Sequence, residues 1–170
     1  RTPGSSGNQK TWTWSSWVKI ADPDAHKMIF SAASNSSNLM HLYIRGDSQN
    51  HRIDIQWRQA SSTTRTLSTD RKFRDIGGWY HIVWAVDTTQ ATASNRMRLY
   101  INGVEETSFA TDNRSTISQS SDLAINDASA HTIGTYSLSP SSYFDGYMAE
   151  IHFVDGTQLT PSSFGETKAG

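Results

Sequence analysis

The sequence predicts an all-β fold, an antiparallel two-sheet β-sandwich jelly roll, and three observations carry that prediction. Apolar and polar residues alternate in short runs, turn residues separate those runs, and no stretch longer than one turn carries a helical period. Composition agrees: Ser and Thr supply about a quarter of the chain while only 18% of residues are charged, a balance that favours strands and turns over long surface helices.

After a polar segment from Arg1 to Lys10, Trp12, Trp14 and Val18 alternate with Thr11, Thr13 and Ser15, giving a first strand with one apolar face. Trp17 falls on the other face and is expected to be covered by another strand or by a terminal segment. Asp22-Pro23-Asp24 breaks the pattern, His26 to Ala33 reads as a second strand, and Asn35-Ser36-Ser37-Asn38 as a turn. Leu39 to Arg45 and His51 to Arg58 form a hairpin joined by Gly46-Asp47-Ser48-Gln49-Asn50. Met40, Leu42, Ile44, Ile53, Ile55 and Trp57 then face the core, and His41, Tyr43, Arg45, Arg52, Asp54, Gln56 and Arg58 share the opposite face. Thr63 to Thr69 reads as a polar strand.

Trp79 to Asp87 is apolar on both faces, as a central strand would be. Arg96 to Ile101 alternates cleanly. Asn102-Gly103 is the chain's strongest type I′ signal, with Val104 to Phe109 as the returning strand. Thr111 to Ser129 is unpatterned and reads as a long loop over a rim or edge. A short strand at His131 to Tyr136, a Ser/Pro-rich turn at Ser137 to Ser142 and a long strand through Gly146 to Asp155 complete the order. The expected core is built around Trp12, Trp14, Trp79, Ile82, Trp84, Leu99, Ile101, Ile151 and Phe153.

At 170 residues the chain is read as one domain, 1–170 with its core about 11–165, and as a module of a longer or processed polypeptide. Fifteen basic and sixteen acidic side chains leave a net charge of −1 with no block of one sign, so no electrostatic footprint for nucleic acid is present. No apolar run approaches the roughly 20 residues that insertion in a membrane needs, and no signal peptide is visible. Without cysteine, neither disulfides nor thiolate metal sites exist.

Three stretches resemble a known family. Trp12-Thr13-Trp14-Ser15-Ser16-Trp17-Val18-Lys19, then Trp79-Tyr80-His81-Ile82 with Leu99-Tyr100-Ile101-Asn102-Gly103, and finally Phe144-Asp145-Gly146-Tyr147-Met148-Ala149-Glu150-Ile151 are similar to the signatures of laminin G-like and pentraxin-like domains within the concanavalin A-like jelly rolls. More narrowly, Lys10 to Trp14, Val86 to Arg96 and Phe144 to Glu166 resemble modules in virion proteins of marine tailed phages. The resemblance implies display on the virion surface, outside the cell, in multiple copies, with glycans or other virion proteins as partners. Where the family often has an acidic residue before the terminal Glu, this chain has Ala149, so no acidic role transfers to that position.

The resemblance also frames the sites. Related glucanases carry Glu-x-Asp-x-x-Glu on one strand, which presents two carboxylates to one sugar. This chain lacks the string: Glu105 and Glu106 are adjacent and Glu150 stands alone, so the sequence reads as no enzyme. No nucleophile elbow supports Ser-His-Asp chemistry. Calcium is the one cofactor the family suggests, bound at a rim, and the candidate ligands are Asp112, Asn113, Asp122, Asn126 and Asp127, with Asp22 and Asp24 as a further pair; ordinary turn chemistry explains the same residues. The His residues form no His-x-His or His-x-x-x-His pair. His81 reads as structural and His152 as outward.

Glycan recognition needs a shallow polar surface with rings for sugar faces and amides or Arg for hydroxyls. The hairpin face of His41, Tyr43, Arg45, Arg52, Asp54, Gln56 and Arg58 meets that description, as does a rim near Tyr136 and Tyr143; the competing reading of the face is a solvated outer sheet surface. The leading expectation is a lectin-like adhesion domain, the alternative a structural capsid or tail decoration domain, and the least favoured a glycoside hydrolase.

Overall fold

Tryptophan placement organises the interior. Trp12 and Trp14 from the first strand and Trp84 from the central one are fully buried, with Trp12 and Trp84 meeting edge to face at 4.8 Å between ring centroids and an interplanar angle of 82°. The computed structural model describes residues 1–22, 24–46 and 51–166; Pro23 and the hairpin turn expected at Asp47–Asn50 lie outside them.

The strands are β1 (Thr11–Ile20), β2 (Lys27–Asn35), β3 (Asn38–Arg45), β4 (Arg52–Arg58), β5 (Arg65–Thr69), β6 (Tyr80–Asp87), β7 (Met97–Ile101), β8 (Val104–Glu105), β9 (Phe109–Asp112), β10 (Ala130–Ile133) and β11 (Gly146–Asp155). They form a five-stranded sheet in the order β11-β1-β6-β7-β8 and a six-stranded sheet in the order β10-β2-β3-β4-β5-β9. Every pair of neighbouring strands among the described residues runs antiparallel. The inner faces pack Ile82, Leu99 and Ile101 against Met40, Leu42, Ile55 and Trp57 in one apolar cluster. The predicted fold class, hairpins and central strand are present.

The Asn102-Gly103 turn has φ of 51° and 83°, the two positive values a type I′ turn requires, and it pairs Ile101 with Val104. Gly146 has φ of 147°, and a Cβ there would stand 2.1 Å from the Lys19 carbonyl oxygen, so the Phe-x-Gly signature demands glycine.

Several expectations need correction. The strand expected at Val104 to Phe109 divides: β8 ends after two residues, and β9 joins the other sheet beside β5. The loop expected from Thr111 to Ser129 is anchored, because Ile117, Leu123, Ala124 and Ile125 enter the core. Trp79 is 41% exposed, since it precedes β6 rather than lying in it. Ile151 and Phe153, 38% and 39% exposed, sit on β11 at the sheet edge, where the opposite sheet ends at β10. β11 also carries a bulge, with Glu150 and Ile151 opposite Ser16 and Glu150 at φ 49°. The extra residue shifts the side-chain phase, so Met148 and Phe153 pair with the inward Val18 and Trp14 although they are an odd number of positions apart.

Candidate functional site

Pairing register builds two rows of side chains across the outer face of the six-stranded sheet. One row runs Met28, Tyr43, Asp54 and Ser68, and the next Ser31, His41, Gln56 and Thr66. The chain after β10 then folds back over these rows. Ser137 donates its backbone N–H to Ser31 Oγ at 3.2 Å, and the Tyr136 ring stands edge-on to His41 at 5.5 Å and 87°. The result is a cavity of about 450 Å³ lined by His26, His41, Tyr43, Arg45, Gln56 and Tyr136, with Met28, Ser141 and Ser142 completing its wall.

Rings run continuously along it. His26 to Tyr43, Tyr43 to His41 and His41 to Tyr136 are each separated by 5.5 Å between centroids. Beneath them Asp54 is fully buried, accepting hydrogen bonds from Tyr43 Oη at 3.2 Å and Ser68 Oγ at 2.5 Å, with Arg45 Nη1 3.8 Å from Oδ2. Burial raises its pKa, and the hydrogen bond from Ser68, the Arg45 charge and the Tyr43 hydroxyl oppose that rise. Asp54 therefore fixes the Tyr43 ring from below. His41 lies 3.3 Å from Gln56 Oε1 through Nε2, burial lowers its pKa to about 4, and it is neutral at pH 7. Its Nδ1 is buried with no partner.

Five of the nine predicted binding residues, His41, Tyr43, Arg45, Gln56 and Tyr136, meet at this cavity, and Asp54 supports it. Arg58 is drawn away, donating to Thr64 Oγ1 and the Ser36 carbonyl. Arg52 does not line the cavity, and Tyr143 is exposed with its hydroxyl on the Pro140 carbonyl. His26 and Met28 escaped the sequence reading, although Met28 occupies the same row as Tyr43; the signal was the i, i+2 spacing of two side chains entering β2. The face is not the solvated surface that alternation alone suggests, because a segment about 100 residues downstream roofs it.

The candidate calcium ligands do not converge. Asp112 is held below the usual carboxylate range by hydrogen bonds from Arg114, whose Nη2 lies 2.6 Å from Oδ2. Asn113 Oδ1 accepts from the Thr66 N–H, Asp122 pairs with Lys10 at 2.5 Å, Asn126 Nδ2 donates to Asp155, and Asp127 accepts from Ser6. Asp22 pairs with Lys27, and Asp24 with His51. Among the described residues no group of three or more His, Asp or Glu side chains gathers that could hold a metal ion.

The glutamates are equally scattered. Glu105 lies against Arg98, Glu106 against Arg71 and Glu150 against His152. His81 Nε2 is 2.9 Å from Ser15 Oγ inside the sheet, and Ser15 is fully buried.

A two-sheet antiparallel sandwich of this strand order is a concanavalin A-like jelly roll. Residues 1–163 match the laminin G form of the concanavalin A-like lectin/glucanases superfamily, and the chain belongs to that family. No curated protein matches it in sequence. Among solved structures, domain 4 of AbnA, a GH43 extracellular arabinanase from Geobacillus stearothermophilus, in complex with arabinotriose, is 24% identical with a TM-score of 0.66; the match covers 92% of this chain and 66% of that one. The CBM40 of the Ruminococcus gnavus IT-sialidase is 15% identical with a TM-score of 0.64, covering 92% and 81% of the two chains. The heptameric SAP-like pentraxin of Limulus polyphemus is 15% identical with a TM-score of 0.58, covering 96% and 71%. These likenesses concern the fold.

Proposed function

We propose that the chain is a non-catalytic, lectin-like glycan-binding module whose ligand lies in the roofed cavity on the six-stranded sheet. The observation that carries this reading is the ladder of four rings, His26, Tyr43, His41 and Tyr136, beside Arg45 and the Gln56 amide. Rings offer flat apolar area for the C–H faces of a sugar, while a few placed polar groups orient its hydroxyls. The unpartnered His41 Nδ1 gives a hydroxyl donor somewhere to bind once Tyr136 shifts. Two of the similar structures support the ligand class, since their complexes hold arabinotriose and sialyllactose. The scattered glutamates, Glu105 against Arg98 and Glu106 against Arg71, support a role without hydrolysis.

The phrases similar to marine phage virion proteins support a further reading: a single domain displayed in many copies on a virion surface, where avidity raises weak single-site binding. The test is a glycan array probed with a multivalent form of the chain, followed by titration of any hit. Tyr136→Ala weakens binding at least about tenfold if the cavity is the site. Silence across the array, or affinity unchanged in Tyr136→Ala and Tyr43→Ala alike, rejects the reading.

A structural role in the virion is the second reading, and one observation favours it: Ile133, Phe153 and Ile151 are exposed where β10 and β11 leave the edges of the two sheets unpaired with each other. Assembly contacts would bury that rim.

A further inference from the structure

Three segments close the sandwich. Residues 134–142 roof the six-stranded sheet. The tail after β11 crosses the five-stranded sheet, where Phe164 packs on Val83, Ala85 and Tyr100 beside a cavity of about 650 Å³ lined by Trp17 and Asn102 among others. Residues 1–10 form a strap over the open rim, where β10 and β11 end the two sheets. Beneath the strap lies a cavity of about 890 Å³ walled by Phe30, His131, Ile133 and Phe153, and the last two are exposed at its mouth.

The strap is tied at both ends by groups that do not titrate. Arg1 exchanges both backbone hydrogen bonds with His131, each at 2.8 Å, and Gln9 exchanges bonds with Leu123 before the chain enters β1. Its middle depends on Asn126. The Asn126 carbonyl accepts the Gly7 N–H at 2.9 Å, and its Nδ2 donates to the Asn8 carbonyl and to Asp155 Oδ1. A Cβ at Gly7 would collide with that amide, so the two backbones can meet this closely only with glycine there. Asn126 has left-handed backbone, with φ 69°, and its own N–H goes to His131 Nε2 at 2.9 Å. The other ring nitrogen, Nδ1, lies 2.9 Å from the Ser129 carbonyl oxygen. A carbonyl only accepts and a backbone N–H only donates, so the ring proton sits on Nδ1, Nε2 offers a lone pair, and the clasped ring is neutral.

We propose that His131 is an acid-released clasp: a proton taken from solvent at Nε2 breaks the bond from the Asn126 N–H, Asn126 lets go of Gly7 and Asn8, and residues 2–8 lift to open the rim cavity. Once protonated, both ring nitrogens are donors, and the new Nε2–H would point at another N–H, so the clasped geometry and a charged ring exclude each other. The charged groups facing the ring are the Arg1 amine on the strap and Asp127 in its own segment, with Asp155 of β11 reached through Asn126; from β2 its neighbours are Phe30 and Ala32. Burial lowers the pKa of His131, the bond to the Ser129 carbonyl opposes that, the Arg1 amine lowers it further, and Asp127 opposes. A histidine depressed in the clasped state binds fewer protons there than when released. The clasp is therefore complete above about pH 6.5 and weakens as pH falls. Acid exposes the apolar rim while the strap stays tethered at Arg1 and Gln9.

The experiment uses the whole chain, isotopically labelled, followed by NMR between about pH 7.5 and about pH 5.5. Ring nitrogen shifts report the His131 protonation state, hydrogen-exchange protection at Gly7 and Asn126 reports the clasp, and the indole signals of the buried Trp12, Trp14 and Trp84 report folding. Protection at the two amides is expected to fall several-fold, at most about tenfold, while the indole signals stay in place. Fluorescence of the apolar dye anilinonaphthalene sulfonate is expected to rise over the same range. His131→Gln offers an acceptor that does not titrate and should hold the strap down in acid. His131→Phe offers none and should release both amides, and bind the dye, already at neutral pH. Constant protection in the wild type overturns the proposal, as does an equal fall in His131→Gln or a ring protonated at Nε2 at neutral pH. If His131→Gln loses the indole pattern, the wild-type titration decides: loss of protection must follow the protonation curve of the His131 ring, and loss at any other pH rejects the clasp.

Discussion

Each outer sheet face carries a cleft roofed by a returning segment, but the two roofs are attached differently. The one over the six-stranded sheet is held by polar bonds alone: Ser137 bonds Ser31 through both its N–H and its Oγ, Thr135 and Ser141 bond each other, and at its two ends Gly134 donates its N–H to the Ile29 carbonyl and Met28 its N–H to the Ser142 carbonyl. The tail over the five-stranded sheet combines a buried polar pin with an apolar anchor. Thr13 Oγ1 donates to the Thr157 carbonyl at 2.7 Å and accepts the Leu159 N–H at 2.8 Å, while Phe164 packs on the sheet. Hydrogen bonds of this kind are each worth about 1 kcal/mol, so the first roof is held by several small contributions rather than by an apolar anchor. The second is part of the folded structure and presents a preformed cleft.

The largest effect separating the two faces is expected from acid. Buried His41 has a pKa lowered to about 4, and burial, followed by the charge of His152, lowers that of His81 as well. A histidine depressed in the folded state binds fewer protons there than in the unfolded chain. Its stabilisation is therefore complete above pH 6.5 and lost as pH falls towards 4. For His41 the loss is on the order of 3 kcal/mol. In denaturant titrations at pH 7 and pH 4 the wild-type loss should exceed that of His41→Gln by about that amount; equal losses contradict the burial of His41.

Next comes the pin. Thr13→Val leaves the part-buried Leu159 N–H and Thr157 carbonyl without their bridge and is expected to destabilise by about 1–2 kcal/mol, lowering Tm by about 2–8 °C. Phe164→Ala, at a half-buried position, should cost about 1–2 kcal/mol. If either leaves Tm unchanged, the tail is not the anchored roof. Ser31→Ala should cost no more than about 1 kcal/mol, yet weaken any ligand of the first cavity several-fold, a split readable by comparing Tm with Kd. The smallest effect belongs to Arg52→Ala. Its side chain shares the strand face but not the cavity, so affinity should stay within about twofold; a larger loss would extend the site along β4.

Local pattern made much of this legible. Alternation along β3 and β4 assigned every side chain of that hairpin to its correct face, and Asn102-Gly103 gave the turn type of the β7–β8 hairpin. What alternation does not encode is which segment covers a face. Tyr136 was named as a rim residue, yet its contact with His41 depends on a chain reversal set by Ser31, far away in sequence. The clustering of Trp17 with Asn102 and Phe164 was hidden for the same reason: three segments meet only after folding. Thr111 to Ser129 looked like an unanchored loop because its core residues, Ile117 and Leu123 to Ile125, follow no period.

The bulge at Glu150 bears on how this edge tolerates insertion and deletion. Removing that single residue would leave one residue opposite Ser16, so that Ala149, Ile151, His152 and Phe153 face Trp17, Ser16, Ser15 and Trp14 one to one and Phe153 keeps its side of the sheet and its contacts with Trp12 and Phe30. A one-residue deletion should therefore be tolerated at the bulge itself, whereas one elsewhere in β11 turns the side chains between it and position 150 to the other face and so changes which of them close the open rim of the sandwich.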